Sequence, residues 1–206
     1  MDVLAEEWIE GSTLDETVRK ACREGDRERL KTLSARFDRM AAAMLADDRA
    51  HGDLKPENII VSPDGTLHPI DWDAAFLPAF RGMRSLETGT PAYRHPARTA
   101  ALFNERLDDF PAALISASLA ALALDPALKA YAASQECLLL DADAILRPTA
   151  LCREVIRLLE ECGDLAHAAI IRTAAAPTPE IPELTPLFAS VVQPVISLPR
   201  TRKPNR

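Results

Sequence analysis

The chain of 206 residues carries a formal net charge of -7, with 48% hydrophobic and 27% charged residues, the proportions of one ordinary domain long enough to bury its own core. Its acidic balance, with a pI near 5.2, argues against a nucleic-acid or anionic-membrane partner. Cys22, Cys137, Cys152 and Cys162 make no C-x-x-C pair and no cysteine-histidine cluster, so they read as free thiols of a reducing compartment, with a cytoplasmic location expected.

The opening residues lack a charged-then-apolar export pattern. Gly11 is followed by Ser12 and Thr13, with Asp15 and Glu16 just behind, the pattern that caps a helix N-terminus. A helix from about Thr13 to Cys22 is predicted. Gly25-Asp26 breaks it, and Leu30, Leu33, Phe37, Met40 and Met44 then recur at three- and four-residue steps, the apolar stripe of a second, longer helix. The segment HGDLKPEN from His51 is loop by its glycine, proline and polar content. Ile59 to Ser62 reads as a short strand, Pro63-Asp64-Gly65 as a turn and Thr66 to Ile70 as the return strand. Pro69 has no N–H to donate, which places that strand at an edge or turns its proline away from the partner.

Residues 73 to 96 hold prolines or glycines at 78, 82, 89 and 91 and no periodicity, predicting a long loop of the kind that carries function. Asp108 to Leu124 is apolar almost all round, a helix buried on every side. Its apolar run is shorter than the ~20 residues of a membrane span, so no membrane partner is expected. Leu151, Val155, Ile156, Leu158 and Leu159 mark another helix, with Pro148 in its first turn. A weaker helix runs from Asp164 to about Ala174. Beyond Ala176 prolines recur at 177, 179, 182, 186, 194, 199 and 204, predicting a flexible, extended, proline-rich tail over 176–206. The expected fold class is mostly α with a small β-hairpin.

The informative chemistry lies between His51 and Asp73. If Asp64-Gly65 is a two-residue turn, Asn58 falls directly opposite Asp71, with Cβ atoms about 4.5–5.5 Å apart; a three-residue turn shifts the pairing by one position. Two oxygen-bearing side chains at the open end of a hairpin can share a hard cation such as Mg2+, which takes few protein oxygens together with phosphate oxygens. Asp53, in the loop that enters the hairpin, can orient a substrate hydroxyl, and Lys55 adds a cation beside it. Phosphoryl transfer asks for these parts, since it depends on positioning and on neutralising negative charge that spreads over the transferred group. His51 is expected to bridge and fix the loop, and His68, His95 and His167 to be surface or packing residues.

HGDLKPEN resembles the catalytic loop of the protein kinase family, H-R-D-L-K-x-x-N; IDWD resembles its D-F-G segment, and GTPAYRHPA the stretch ending in A-P-E. EEWIEGSTL is similar to the family's hinge, Asp108 to the aspartate that opens its buried central helix, and Arg147-Pro148-Thr149 to a late helix start. The resemblance spans residues 6 to about 160. It implies a protein kinase-like fold, here the C-terminal lobe, with a hinge-like segment over 1–11 and the lobe over 12–175. It further implies ATP and Mg2+ as cofactors, and phosphoryl transfer to Ser/Thr hydroxyls of a protein or peptide substrate. By resemblance, Asp53 is the base that accepts the hydroxyl proton, Lys55 contacts the γ-phosphate, and Asn58 and Asp71 hold the metal. The Glu7 carbonyl and the Ile9 amide bind adenine, with Ile60 beneath the ring. Thr90 hydrogen-bonds the Asp53/Lys55 pair and shapes the peptide site.

Several positions depart from the family pattern. Gly52 stands where many kinases carry an arginine that grips an activation-loop phosphate, so a switch through that residue is not expected. Asp73 replaces the D-F-G glycine, Glu6 the apolar gatekeeper, and Ala97 the A-P-E glutamate, which leaves Arg147 without its usual partner. No small β-rich lobe with glycine-rich loop, strand lysine and helix glutamate precedes the hinge-like segment. The expectations are an upstream segment that holds it, a partner chain that supplies it, or a degenerate, non-catalytic relative, with weak nucleotide binding and little turnover from this chain by itself. Small-molecule kinases of the aminoglycoside and choline kinase type share H-G-D and I-D-W followed by an acidic residue, whereas Lys55 and GTPAYRHPA favour a protein substrate. A non-catalytic pseudokinase acting as an interaction module fits the absent lobe, Asp73 and Ala97.

Overall fold

The computed structural model describes residues 8–132 and 134–192; positions 1–7 of the hinge-like segment and 193–206 of the predicted tail lie outside them. Ser12 and Thr13 serve two elements at once. They form the short strand β1 (Ser12–Thr13), and Thr13 caps helix α1 (Leu14–Glu24) reciprocally. Its hydroxyl accepts from the Glu16 N–H at 3.2 Å, and the Glu16 carboxylate accepts from the Thr13 N–H at 3.3 Å. Gly25, left-handed at φ 67°, closes α1, and Asp26 then starts α2 (Arg27–Leu45) by accepting from the Arg29 N–H. Leu30, Leu33, Phe37, Ala41 and Leu45 carry the stripe of α2 into the core, while Met40 and Met44 lie partly buried at its margin.

Strands β2 (Ile59–Val61) and β3 (Leu67–Pro69) pair antiparallel, and β1 adds to the other side of β2. The predicted hairpin is present, and β1 extends it to a three-stranded sheet in the order β1-β2-β3. Its register is set by a three-residue loop. Ser62 N–H reaches the Thr66 carbonyl across Pro63-Asp64-Gly65, with Gly65 at φ 80°, the loop type that ends on a left-handed residue. Ile59 therefore faces Pro69, and Asn58 faces Ile70, whose N–H its carbonyl accepts at 2.9 Å; Asp71 is one position beyond. Pro69 is on an outer strand, where proline is tolerated.

The centre of the fold is α3 (Asp109–Leu124), buried at every position from Asp109 to Ala123. A short α4 (Ala142–Leu146) follows, then α5 (Ala150–Glu161), α6 (Leu165–Ala174) and α7 (Leu184–Val192). Helices α2, α5 and α6 pack on α3. Thr149 caps α5, so Pro148 stands just ahead of the cap and not inside the first turn. The reading of an extended tail from 176 is corrected over its first part. Helix α7 packs on α2 and α6, with Ile181, Leu184 and Phe188 buried. Pro186 is its third residue, within the first turn, where a missing N–H breaks no helical bond. The Ile181 N–H donates to Asp109 Oδ2 at 2.7 Å, fastening this segment to the start of α3. Among the described residues no helix is long and apolar enough to cross a membrane.

Candidate active site

The loop from Ala50 to Lys55 is held from three sides. Ala50 and Phe76 exchange backbone hydrogen bonds of 3.1 and 2.9 Å, closing the ends of the segment that contains the hairpin. Asp108, 2% exposed at the N-terminus of α3, does not cap its own helix. Its two carboxylate oxygens instead accept the His51 N–H at 2.6 Å and the Gly52 N–H at 3.0 Å. On the third side, His51 Nε2 lies 2.7 Å from the Ile70 carbonyl and its Nδ1 accepts from the Asp53 N–H at 3.3 Å. With the proton on Nε2 both contacts are satisfied, and the imidazole bridges the Ala50–Lys55 loop and the hairpin. Its ring also packs on Trp72, centroids 4.8 Å apart.

Gly52 is required by this geometry. Its φ is 83°, and a Cβ there would overlap the Ala74 carbonyl, so the chain must be glycine where the family pattern has arginine. A guanidinium reaches the same loop by another route. Arg98, 6% exposed, donates from Nη1 to the Gly52 carbonyl at 2.6 Å, while its Nε and Nη2 are buried without a partner among the described residues. Burial pushes the Arg98 pKa down, against the attraction of Asp108 and Asp53.

Asp53 projects from this braced loop into a small polar cluster. Its Oδ1 accepts the Thr90 N–H at 2.6 Å, and its Oδ2 takes the Thr90 hydroxyl at 3.3 Å and the Lys55 ammonium at 3.1 Å. Lys55 Nζ also donates to Thr90 Oγ1 at 3.1 Å. Burial pushes the Asp53 carboxyl up, but the Thr90 N–H and the Lys55 ammonium together hold it below its ordinary value. Gly89, at φ 78°, permits the close pass of the 88–98 segment over the Gly52 carbonyl and the Asp53 carboxylate. The structure thus joins Asp53, Lys55 and Thr90 in one hydrogen-bonded group.

Asn58 ends the one-turn 3-10 helix Pro56–Asn58 and is buried. Its Nδ2 donates to the Asp53 carbonyl at 3.0 Å, which commits the amide nitrogen to the protein and leaves Oδ1 as the acceptor available for a ligand. Asp71 follows Ile70, the cross-strand partner of Asn58, and has φ 64°, the single non-glycine residue in that region among the described residues. Aspartate adopts this conformation at a cost of about 1–2 kcal/mol, and its carboxylate, exposed, makes no hydrogen bond to the described protein. Ile60, half-buried in the middle of β2, faces Thr13, and its methyl lies against Gly11. Ile9 is half-buried in the segment that leads into β1. Glu7 lies outside the described residues.

Two side chains that brace the site were not marked by local pattern. Asp108 reads in sequence as a helix start, but its partners are 56 and 57 residues away. Arg98 binds a carbonyl 46 residues away. Arg147 is not left alone by Ala97, since Asp143 pairs with it at 2.6 Å. Compared with known proteins, the chain matches no family model and no curated protein sequence.

Proposed function

We propose that this chain is the larger lobe of a protein kinase-like phosphotransferase that moves the γ-phosphoryl group of ATP to Ser/Thr hydroxyls of a protein. The observation that carries this reading is the joining of Asp53, Lys55 and Thr90 in one hydrogen-bonded group, with Asn58 bonded to the Asp53 carbonyl and Asp71 following Ile70, the cross-strand partner of Asn58. An ionised Asp53 orients the acceptor hydroxyl and takes its proton as the new P–O bond to the γ-phosphorus forms and the bond to the β,γ-bridging oxygen breaks, ADP leaving. Lys55, 3.1 Å from the carboxylate, is placed to neutralise charge on the transferred group. The Thr90 N–H holds the carboxylate in one orientation, which serves a reaction limited by positioning.

Asn58 and Asp71 offer an amide oxygen and a carboxylate, both hard donors, and neither is consumed by other protein groups. That donor set fits Mg2+, and these two residues would hold it. Bound there, the ion would screen the phosphate oxygens. Ile9, ahead of β1, and Ile60, in the central strand, are the apolar residues proposed to meet adenine, and Glu7 completes that proposal from outside the described residues.

The test is transfer from radiolabelled ATP, with Mg2+, to a mixture of Ser/Thr peptides and, separately, to aminoglycosides and amino alcohols, using the chain and its Asp53→Asn variant. Labelled peptide that disappears with Asp53→Asn is the expected result. Label on the small molecules alone would assign the chain to the small-molecule kinases. No Mg2+-dependent ATP binding and no label on either acceptor would leave an interaction module.

A further inference from the structure

Exposed Arg49, Arg81, Arg147, Arg157 and Arg172 and half-buried Arg19 each pair with a carboxylate, whereas exposed Arg23, Arg27, Arg84 and Arg153 form no ion pair among the described residues. Arg29, Arg36 and Arg39 of α2 form no ion pair among the described residues. They are not scattered. Arg29 and Arg36 border a cavity of about 450 Å³ whose floor includes Leu33 and Val61 and whose wall is the turn Ser62–Gly65. Arg36 and Arg39 border a second, of about 270 Å³, with Met40, Thr66 and Leu67. Arg36, common to both, joins them into one groove between α2 and the hairpin.

Arg36 is half-buried and held in place. Its Nη1 donates to the Asp64 carbonyl at 2.8 Å, and the guanidinium lies against Gly65 where a Cβ would overlap it. Asp64 is the one carboxylate lining either cavity. It is occupied by its own turn, accepting from the Ser62 hydroxyl at 2.6 Å and from the Thr66 N–H and hydroxyl at 2.9 Å. The groove therefore keeps a net positive charge on a chain whose total is -7.

We propose that this groove docks an acidic, extended peptide segment of a partner protein. At 1.5 Å per helical residue the arginines are spaced about 10 Å and then about 5 Å along α2. Cations strung out in this way match carboxylates along a strand, whereas one phosphate group would need them to converge. At about 3.3 Å per residue, four to five extended residues cover the span from Arg29 to Arg39. The floors at Leu33 and Val61, and at Met40 and Leu67, take apolar side chains set between the acidic ones. The chain's net charge of -7 disfavours such a segment overall, so the arginines of the groove set both its place and its class. None of these residues belongs to the candidate active site, and the inference does not depend on phosphoryl transfer.

The experiment is fluorescence polarisation of the full chain, without nucleotide, against labelled acetyl-ELEDLE-amide and its basic counterpart acetyl-KLKKLK-amide. The acidic peptide binds, the basic one does not, and affinity falls steeply with salt. Arg29→Gln, Arg36→Gln and Arg39→Gln together weaken binding at least tenfold, with the fold verified by circular dichroism. Arg39→Gln alone, at an exposed position with no bond to lose, weakens it about threefold and serves if the triple variant does not fold. Equal affinity in these variants, absence of acidic-peptide binding, or tighter binding of pyrophosphate or of oligouridine than of the peptide would overturn the proposal.

Discussion

His167 ties three helices together through a buried ion pair, and removing its proton should loosen them in a defined pH window. Its Nδ1 lies 2.7 Å from Asp164, the cap of α6, and its Nε2 3.2 Å from Asp38 on α2; Asp38 also accepts the Ser116 hydroxyl of α3 at 2.6 Å. Burial alone would lower the imidazole pKa, but the two carboxylates override it and raise it from 6.5 to about 9. The folded protein thus holds this proton more tightly than the unfolded chain. The stabilisation is complete below about pH 6.5, declines as pH rises through the window, and is gone above about pH 9. At about 1.36 kcal/mol per pH unit its upper bound is about 3 kcal/mol, reduced toward about 2 because Asp164 is partly exposed and screened by solvent. The assay is urea unfolding of the wild type and of His167→Gln at pH 6, 7.5 and 9.5. Glutamine can hydrogen-bond but does not titrate. Asp109, raised to about 7 chiefly by burial, titrates in both proteins and cancels in their difference. The wild-type advantage should shrink by about 2–3 kcal/mol from pH 6 to pH 9.5; an advantage constant with pH refutes the charged clamp and leaves only packing.

Three further outcomes follow from the braced loop and the core. Gly52→Ala, which forces a Cβ against the Ala74 carbonyl at positive φ, should destabilise the fold by more than about 2 kcal/mol and lower Tm by about 5 °C; an unchanged melt would show that the loop relaxes freely. Asp108→Asn presents an amide N–H₂ to two backbone donors and leaves at least one unsatisfied, a loss of about 1–3 kcal/mol that should appear as faster hydrogen exchange at the His51 and Gly52 amides. Phe188→Ala should cost about 3–5 kcal/mol because α7 is part of the core, whereas a loss below about 0.5 kcal/mol would return this helix to the status of a tail.

Local signals were the legible ones. The capping pattern of Thr13 and Glu16, the break at Gly25-Asp26 and the apolar stripe of α2 all involve partners within a few residues, and the two helices predicted from them are present. The hairpin was legible as strands and turn but not in register, because Asp64-Gly65 suits a two-residue turn and also ends a three-residue one. Only the bond from Ser62 to Thr66 separates these, and it moves the partner of Asn58 to Ile70. The density of prolines beyond Ala176 hid α7, whose stability comes from Leu184 and Phe188 entering the core and whose proline falls where a helix tolerates it. His167 reads as a packing residue, and its clamp is invisible in sequence because Asp38 lies 129 residues away.

The same distinction separates the two halves of the candidate site. Asp53, Lys55 and Asn58 lie close together in the chain, and their residue types already indicate what they can do. What makes them a site is contributed from afar, by Thr90 on the carboxylate, Asp108 beneath two amides and Arg98 on the Gly52 carbonyl. A glycine at 52 and a guanidinium from 98 are complementary consequences of one crowded contact. The Ala74 carbonyl excludes any side chain from position 52, so the loop accepts its cationic hydrogen bond from the segment that also carries Thr90. Movement of residues 88–98 would therefore release the Gly52 carbonyl and the Asp53 carboxylate together, making the orientation of the proposed base depend on the order of that one segment.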